Sequence, residues 1–178
     1  MMLYLSSNTR QHIYFAVHSA ARHSHSPKKS HGQAIKRIAR YLLATADRGI
    51  ELATDLNQGL NCACDADFTG LYGYEDEQDP ISVRSQPGFL ITLHGFPIIW
   101  SSKLQSEITL STVAAEYVAF SMAMRELVPL RRLLQEISSK LDLPELKETL
   151  IESTIFEDNQ GCLSLVNVPK MSPRNKYL

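Results

Sequence analysis

The apolar residues of this chain change their spacing near Asn57-Gln58-Gly59, and that change limits the folds open to it. Before it, Ala34, Ile35, Ile38, Ala39, Leu42 and Leu43 recur at intervals of three and four, the period of one helix face. After it, Leu60, Cys62 and Cys64 alternate with Asn61, Ala63 and Asp65, the period of a strand covered on one side. A helical segment over residues 1–57 followed by a β-containing domain over residues 58–178 is therefore expected.

The rest of the pattern refines this. Tyr14 to Arg22 reads as a short helix that begins near Asn8 or Thr9, and Pro27 closes that region. Ser30 to Ala44 is a second helix with Ser30 as its cap. Glu75 to Pro80 is an acidic loop. Phe89 to Leu93 and Pro97 to Trp100 read as two strands joined by a turn at His94-Gly95. Ser111 or Thr112 opens a long helix whose stripe runs through Ala119, Ala123, Leu127, Leu130, Leu134 and Ile137. Pro129 is expected to kink it, because the ring clashes with the carbonyl of Arg125. Thr154 to Asp158 is a fourth strand and Gly161 to Asn167 a short helix. The order strand, strand, strand, helix, strand, helix implies an α/β fold, a mixed sheet flanked by helices, with a small helical N-terminal extension.

Charge divides at the same place. Residues 1–50 carry eight Lys/Arg and one acid, a net +7, whereas residues 51–178 carry ten and eighteen, a net −8. A basic segment beside an acidic one suits a nucleic-acid grip next to a cation site. Lys28, Lys29, Lys36, Arg37 and Arg40 are the candidate phosphate contacts, with Lys170, Arg174 and Lys176 as a second cluster. No apolar run approaches a membrane span, and Met1 to Thr9 lacks the build of a secretory signal, so an intracellular, cytoplasmic or nuclear, location is expected. Three cysteines without paired spacing point to reduced thiols. Cys62 and Cys64 alone supply too few ligands for a zinc site.

Three acids occupy informative places. Asp65 ends the first strand, Glu116 lies in the first turns of the long helix, and Asp158 ends the fourth strand. Strand ends beside a helix N-terminus are where open sheets build ligand sites. Three carboxylates meeting there repel one another unless cations intervene, and hard oxygen ligands suit Mg²⁺ or Mn²⁺. Two such ions about 3.5–4 Å apart can activate water and stabilise a leaving oxygen in phosphodiester cleavage. Asp67 is the rival to Asp65, which is preferred because it closes the alternating run. Asp67 shares its strand face if the strand continues, and then supports the ligands from behind, as does Asn159.

Several stretches carry a resemblance. Cys64-Asp65-Ala66-Asp67-Phe68-Thr69-Gly70 resembles the S-D-A-D-W-A-G run that begins the ribonuclease H domain of copia-type retrotransposons. Arg84 to Phe89 with Pro97 to Lys103 resembles K-S-T-S-G-Y … P-I-S-W-S-S-K. Leu110 to Ala119 resembles L-S-S-T-E-A-E-Y-V-A, Arg131-Arg132-Leu133-Leu134 the later L-R-R-L-L, and Asp158-Asn159-Gln160 the D-N-Q of the fourth strand. Leu3-Tyr4-Leu5, Asn8-Thr9-Arg10 and Ala34 to Leu43 look like the segment that joins the polymerase to the nuclease. The matches run in order over nearly the whole chain.

The resemblance implies a ribonuclease H-like fold preceded by the end of a reverse transcriptase. It implies that Asp65 bridges two metal ions while Glu116 and Asp158 complete the site of the first. The implied reaction is hydrolysis of the RNA strand of an RNA–DNA hybrid during reverse transcription, leaving a 3′-hydroxyl and a 5′-phosphate. The implied partners are that hybrid and the remainder of the polyprotein. The alternative is a non-catalytic nucleic-acid-binding remnant. Asn159 and Gln160 could touch the hybrid backbone, though capping the next helix is the simpler role for them. Trp100 and Phe68 read as core residues rather than base-stacking platforms.

Departures matter too. The family's T-R-P-D-I reads Thr9-Arg10-Gln11-His12-Ile13, and Ala114 replaces a Glu that would complete a capping box with Ser111. The family continues past the point matched by Leu178 with another strand and a helix carrying a fourth metal-binding Asp. The resemblance therefore implies a poorly held second ion and impaired turnover.

Overall fold

The computed structural model describes residues 1–48, 55–70, 73, 78–142 and 153–168. The chain divides into two compact units, Met1–Leu52 and Ala53–Leu178.

The first unit is helical. Helix α1 spans Met2–Asn8, a 3₁₀ turn Gln11–Ile13 follows, and α2 (Tyr14–Arg22) and α3 (Lys29–Ala44) complete it. The sequence placed one helix start near Asn8; instead a separate helix ends there. Its close is local, since Thr9 and Arg10 both donate their N–H to the Leu5 carbonyl. Ile13, Val17 and Ile38 form the small core, with Met2, Ala20 and Leu42 against it. Helix α3 begins at Lys29, so Ser30 is not its cap; the Lys28 N–H donates to His31 Nδ1 at 3.0 Å. Of the face expected to be covered, Ile38 is buried, while Ile35 and Leu43 are exposed. The Arg10 guanidinium donates to the Thr45 carbonyl at 3.0 Å and ties the start of this unit to the end of α3.

The second unit is a mixed sheet with helices on it. Strand β1 spans Leu60–Asp67, β2 Gln86–Leu93, β3 Phe96–Ser102 and β4 Ser153–Phe156. Among the described residues their order is β3-β2-β1-β4. The β1–β2 and β2–β3 pairs are antiparallel, and β4 runs parallel to β1 with Ala63 opposite Phe156. This is the α/β arrangement expected from the sequence, consistent with a ribonuclease H-like fold. The β2–β3 turn uses His94 (φ 52°) and Gly95 (φ 79°), the two successive positive angles that a tight hairpin with right-handed twist requires.

Helix α4 (Thr112–Lys140) packs on β1 and β2. Ala115, Ala119 and Ala123 are fully buried at its contact face, and their small side chains let the helix axis come close to the sheet. Leu60, Cys62, Cys64, Phe89, Ile91, Ala123 and Leu127 make the main core. Ser111 caps α4 by accepting the Ala114 N–H at 3.1 Å. The helix runs through Pro129, which is exposed, without a break. Its apolar stripe fades at the C-terminal end, where Ile137 is exposed and Ser138 buried. No helix among the described residues is long and apolar enough to cross a membrane.

Helix α5 (Gln160–Val166) packs against α4, and its start is tight. A methyl group on Gly161 would lie 2.7 Å from Val113 Cγ2 and 3.0 Å from the capping Asn159 Oδ1. Val113 is β-branched and cannot swing clear cheaply. Gly161→Ala is therefore expected to destabilise the protein by about 1–3 kcal/mol, read by chemical denaturation. A variant as stable as the parent would show that this contact yields freely.

Three element boundaries near the acids differ from the sequence reading. Strand β1 continues to Asp67, so Asp65 does not end it; Asp65 to Asp67 pair with Gly88 to Gln86. Strand β2 correspondingly starts at Gln86 rather than Phe89. Strand β4 ends at Phe156, because the Asn159 N–H turns back to Glu157 Oε1 at 3.1 Å. Asp158 thus lies two residues past its strand, in the turn before α5.

Candidate metal centre

Each of the three acids reaches the site by a different route. Asp65 sits near the end of the central strand β1, on the parity of its exposed positions. Glu116 is the fifth residue of α4, and Asp158 sits between β4 and α5. Because β4 is parallel to β1 and adjacent to it, both strands point their C-terminal ends the same way, and α4 begins beside them. One ligand oxygen from each of Asp65, Glu116 and Asp158 can be chosen so that all lie within 4.8 Å of one another.

Glu116 is the buried member, 7% exposed. The Ala66 N–H donates to its carboxylate, which favours the charged form. Burial opposes it more strongly, and the charges of Glu157, Asp65 and Asp158 add to that; together they push its carboxyl up from 4.5 to about 7. Glu116 Oε2 is buried with no hydrogen-bond partner. An orphaned, buried carboxylate oxygen beside two further carboxylates fits a hard divalent cation, which would neutralise the repulsion and supply the missing partner.

Sequence reasoning overlooked Glu157. Among the charges acting on Glu116, its contribution is the largest. Its carboxylate accepts the Asn159 N–H, and the Cys64 thiol lies 3.4 Å from Glu157 Oε2. Burial first, then Glu157, drives the Cys64 thiol far above its ordinary value, while burial lifts Cys62 to about 11. Both side chains are protonated core thiols at neutral pH. The adjacency of Glu157 to Asp158 was the available signal, but only the turn after β4 aims it back toward β1.

The remaining candidates separate. The Asp67 carboxylate packs against Gly70, in the space a side chain there would need, and is outside the group of three. Asn159 accepts the Cys162 N–H at 3.0 Å and caps α5. Replacing it with Ala should cost about 1 kcal/mol in a denaturant titration and loosen the turn that carries Asp158; an unchanged midpoint would dismiss the cap. Gln160 opens α5 and is exposed. Phe68 packs against Ala66, Ala115 and Ala119, in line with a core role, whereas Trp100 is half-buried and outside the core clusters. Lys28, Lys29, Lys36, Arg37 and Arg40 are all exposed in the first unit. Lys170, Arg174 and Lys176 lie outside the described residues, as do Glu75, Asp76 and Glu77 of the acidic loop.

No family profile matches the chain, and neither does any solved structure. The chain is similar to the retrovirus-related Pol polyprotein from transposon RE1 of Arabidopsis thaliana, 32% identical over 170 residues, or 96% of the chain and 10% of that protein. It is 30% identical over 184 residues to the Pol polyprotein from transposon TNT 1-94 of Nicotiana tabacum, covering 99% of the chain and 12% of the relative. It is also 35% identical over 127 residues to secreted RxLR effector protein 161 of Plasmopara viticola, across 71% of the chain and 84% of the effector. The chain thus spans about a tenth of the length of the polyproteins it matches. Aligned over 96% to 99% of its length at 30–32% identity, the chain belongs, as a segment, to the retrovirus-related Pol polyproteins of copia-type transposons.

Proposed function

We propose that this segment is a ribonuclease H-type nuclease that hydrolyses the RNA strand of RNA–DNA hybrids with Mg²⁺ or Mn²⁺. The observation that carries the reading is the meeting of Asp65, Glu116 and Asp158, with the Glu116 oxygen buried and unpartnered. Membership of a family that copies through nucleic acid supports the same reading. Asp65, Glu116 and Asp158 would hold the cation. When bound, such an ion supplies Lewis acidity and lowers the pKa of water, which is what attack on a phosphodiester needs. The products are a 3′-hydroxyl and a 5′-phosphate.

The chain's own residues do the positioning. The Ala66 N–H orients Glu116, and the Asn159 cap and the Glu157–Asn159 bond hold the turn that carries Asp158. Without a cation, the Glu116 carboxyl is about half protonated near pH 7, so a cation that binds there releases protons. The exposed Lys29, Lys36 and Arg40 lie along one side of α3, opposite the buried Ile38, with Lys28 and Arg37 nearby. They would contact phosphates of the hybrid with a salt-dependent contribution. Lys170, Arg174 and Lys176 join that proposal on sequence alone. The remainder of a polyprotein is the partner we assign, and the buried reduced thiols suit an intracellular setting.

The test is cleavage of an end-labelled RNA–DNA hybrid by the purified chain over a Mg²⁺ and Mn²⁺ titration, against EDTA. Metal-dependent products ending in 3′-hydroxyls are expected. Hybrid binding without any cleavage at saturating metal would replace this reading with a non-catalytic nucleic-acid-binding remnant.

A further inference from the structure

A groove of about 980 Å³ lies apart from the three carboxylates, between the segment joining β3 to α4 and the outer side of α4. Tyr117, Ser121 and Arg125 line it at four-residue intervals, so they form one stripe along the helix. Ala115, Ala119 and Ala123 face the sheet, which leaves this stripe on the side turned to solvent. Lys103 stands on the opposite wall, and both it and Arg125 are exposed cations. Among the described lining residues the one acid is Glu107.

The wall is fixed before any ligand arrives. Gln105 is buried; its N–H donates to the Ser85 carbonyl at 3.0 Å and its Nε2 to the Ala115 carbonyl at 3.1 Å. The Thr109 and Ser85 hydroxyls meet at 2.9 Å. A loop pinned to the sheet and to α4 gives a preformed channel, which spares a ligand the cost of ordering it.

We propose that this groove seats a single strand of nucleic acid. A cation on each side can track phosphates, the Ser121 hydroxyl can donate to them, and the half-buried Tyr117 ring offers a face for a base. The stripe from Tyr117 to Arg125 is about 12 Å long at 1.5 Å per residue, room for a short stretch of one strand. Tyr117 follows Glu116 directly in α4, so the groove begins within one helical turn of the residue that carries the buried carboxylate. The proposal rests on the nuclease reading for its purpose, and its test does not depend on cleavage.

Fluorescence anisotropy of labelled twelve-nucleotide single-stranded DNA and RNA, in EDTA and over a salt series, reads the groove alone. Lys103→Gln with Arg125→Gln should weaken binding about tenfold or more. It should also flatten the log–log salt slope by about 1.4, at about 0.7 per phosphate contact on a single strand. Ser121→Trp, which fills the channel and keeps its charge, should weaken binding comparably, with circular dichroism confirming that each variant is folded. Parental affinity and slope in the folded double variant, or no binding by the parent, would overturn the proposal. Groove-dependent binding with no hybrid cleavage in Mg²⁺ would sink the nuclease reading alone. Cleavage with unaltered binding in the variants would sink this proposal alone.

Discussion

Asp65→Asn is expected to lower metal-dependent cleavage of an RNA–DNA hybrid by about a hundred- to a thousandfold, the loss typical when a preorganised electrostatic group is removed from a reacting centre. The substitution keeps the shape and removes one negative charge. Asp65 lies on the exposed parity of β1, so the core formed by Leu60, Cys62 and Cys64 on the opposite parity is untouched and the melting temperature should hold or rise slightly. The rise follows from relief of repulsion with Glu116 and Asp158, whose oxygens lie within 4.8 Å. Asp67→Asn is the informative contrast. Its carboxylate packs on Gly70 instead of joining the three, so its effect on cleavage should be much smaller. Equal losses in the two variants would return Asp67 to the site beside Asp65.

Glu116→Gln should change the pH dependence of stability. In the folded protein the Glu116 carboxyl is pushed up from 4.5 to about 7, by burial first and then by Glu157, Asp65 and Asp158. In the unfolded chain it ionises near the lower value. Below that value both forms are protonated, and the folded state has its full advantage. As pH rises toward 7 the unfolded chain sheds the proton first, and stability is lost through that window; above it the loss is complete. At about 1.4 kcal/mol per pKa unit, a rise from 4.5 to about 7 corresponds to a loss on the order of 3–4 kcal/mol.

Glutamine never ionises. In EDTA the variant should match the parent near pH 4 and exceed it by that amount at pH 8. Saturating Mg²⁺ or Mn²⁺ should close that gap at pH 8, because a bound cation stabilises the parent by about 4.1 kcal/mol at a thousand times its dissociation constant. Thermal melts at four pH values, with and without metal, decide it. A stability difference that ignores pH, or equal metal stabilisation of both proteins, would show that Glu116 is neither strained nor a ligand.

Much of the second unit was legible because its elements obey simple periods. The alternation from Leu60 to Cys64 gave β1, His94-Gly95 gave the hairpin, and Ser111 gave the start of α4. Boundaries set by tertiary contacts were less so. Strand β1 runs on to Asp67 because β2 offers Gly88, Pro87 and Gln86 as partners, and no local preference reports that pairing. Strand β4 stops early because the Glu157 side chain captures a backbone N–H, a contact that depends on how the chain turns. In the first unit, Ser30 looked like a cap, yet His31 meets the Lys28 N–H and moves the helix start.

The candidate site divides in the same way. The sequence by itself determined which residue types were available: three acids at the edges of regular elements, within motifs that resemble one family. It also set the separate basic and acidic stretches. Only the tertiary structure decided that Asp65, Glu116 and Asp158 meet, that Asp67 turns away onto Gly70, and that Glu157 bears on Glu116. The physical reason is that local periodicity specifies which side of an element a residue occupies. Electrostatic coupling depends on distances of a few ångströms between elements, here fixed by a parallel β1–β4 pair and an alanine-lined helix packed closely upon it.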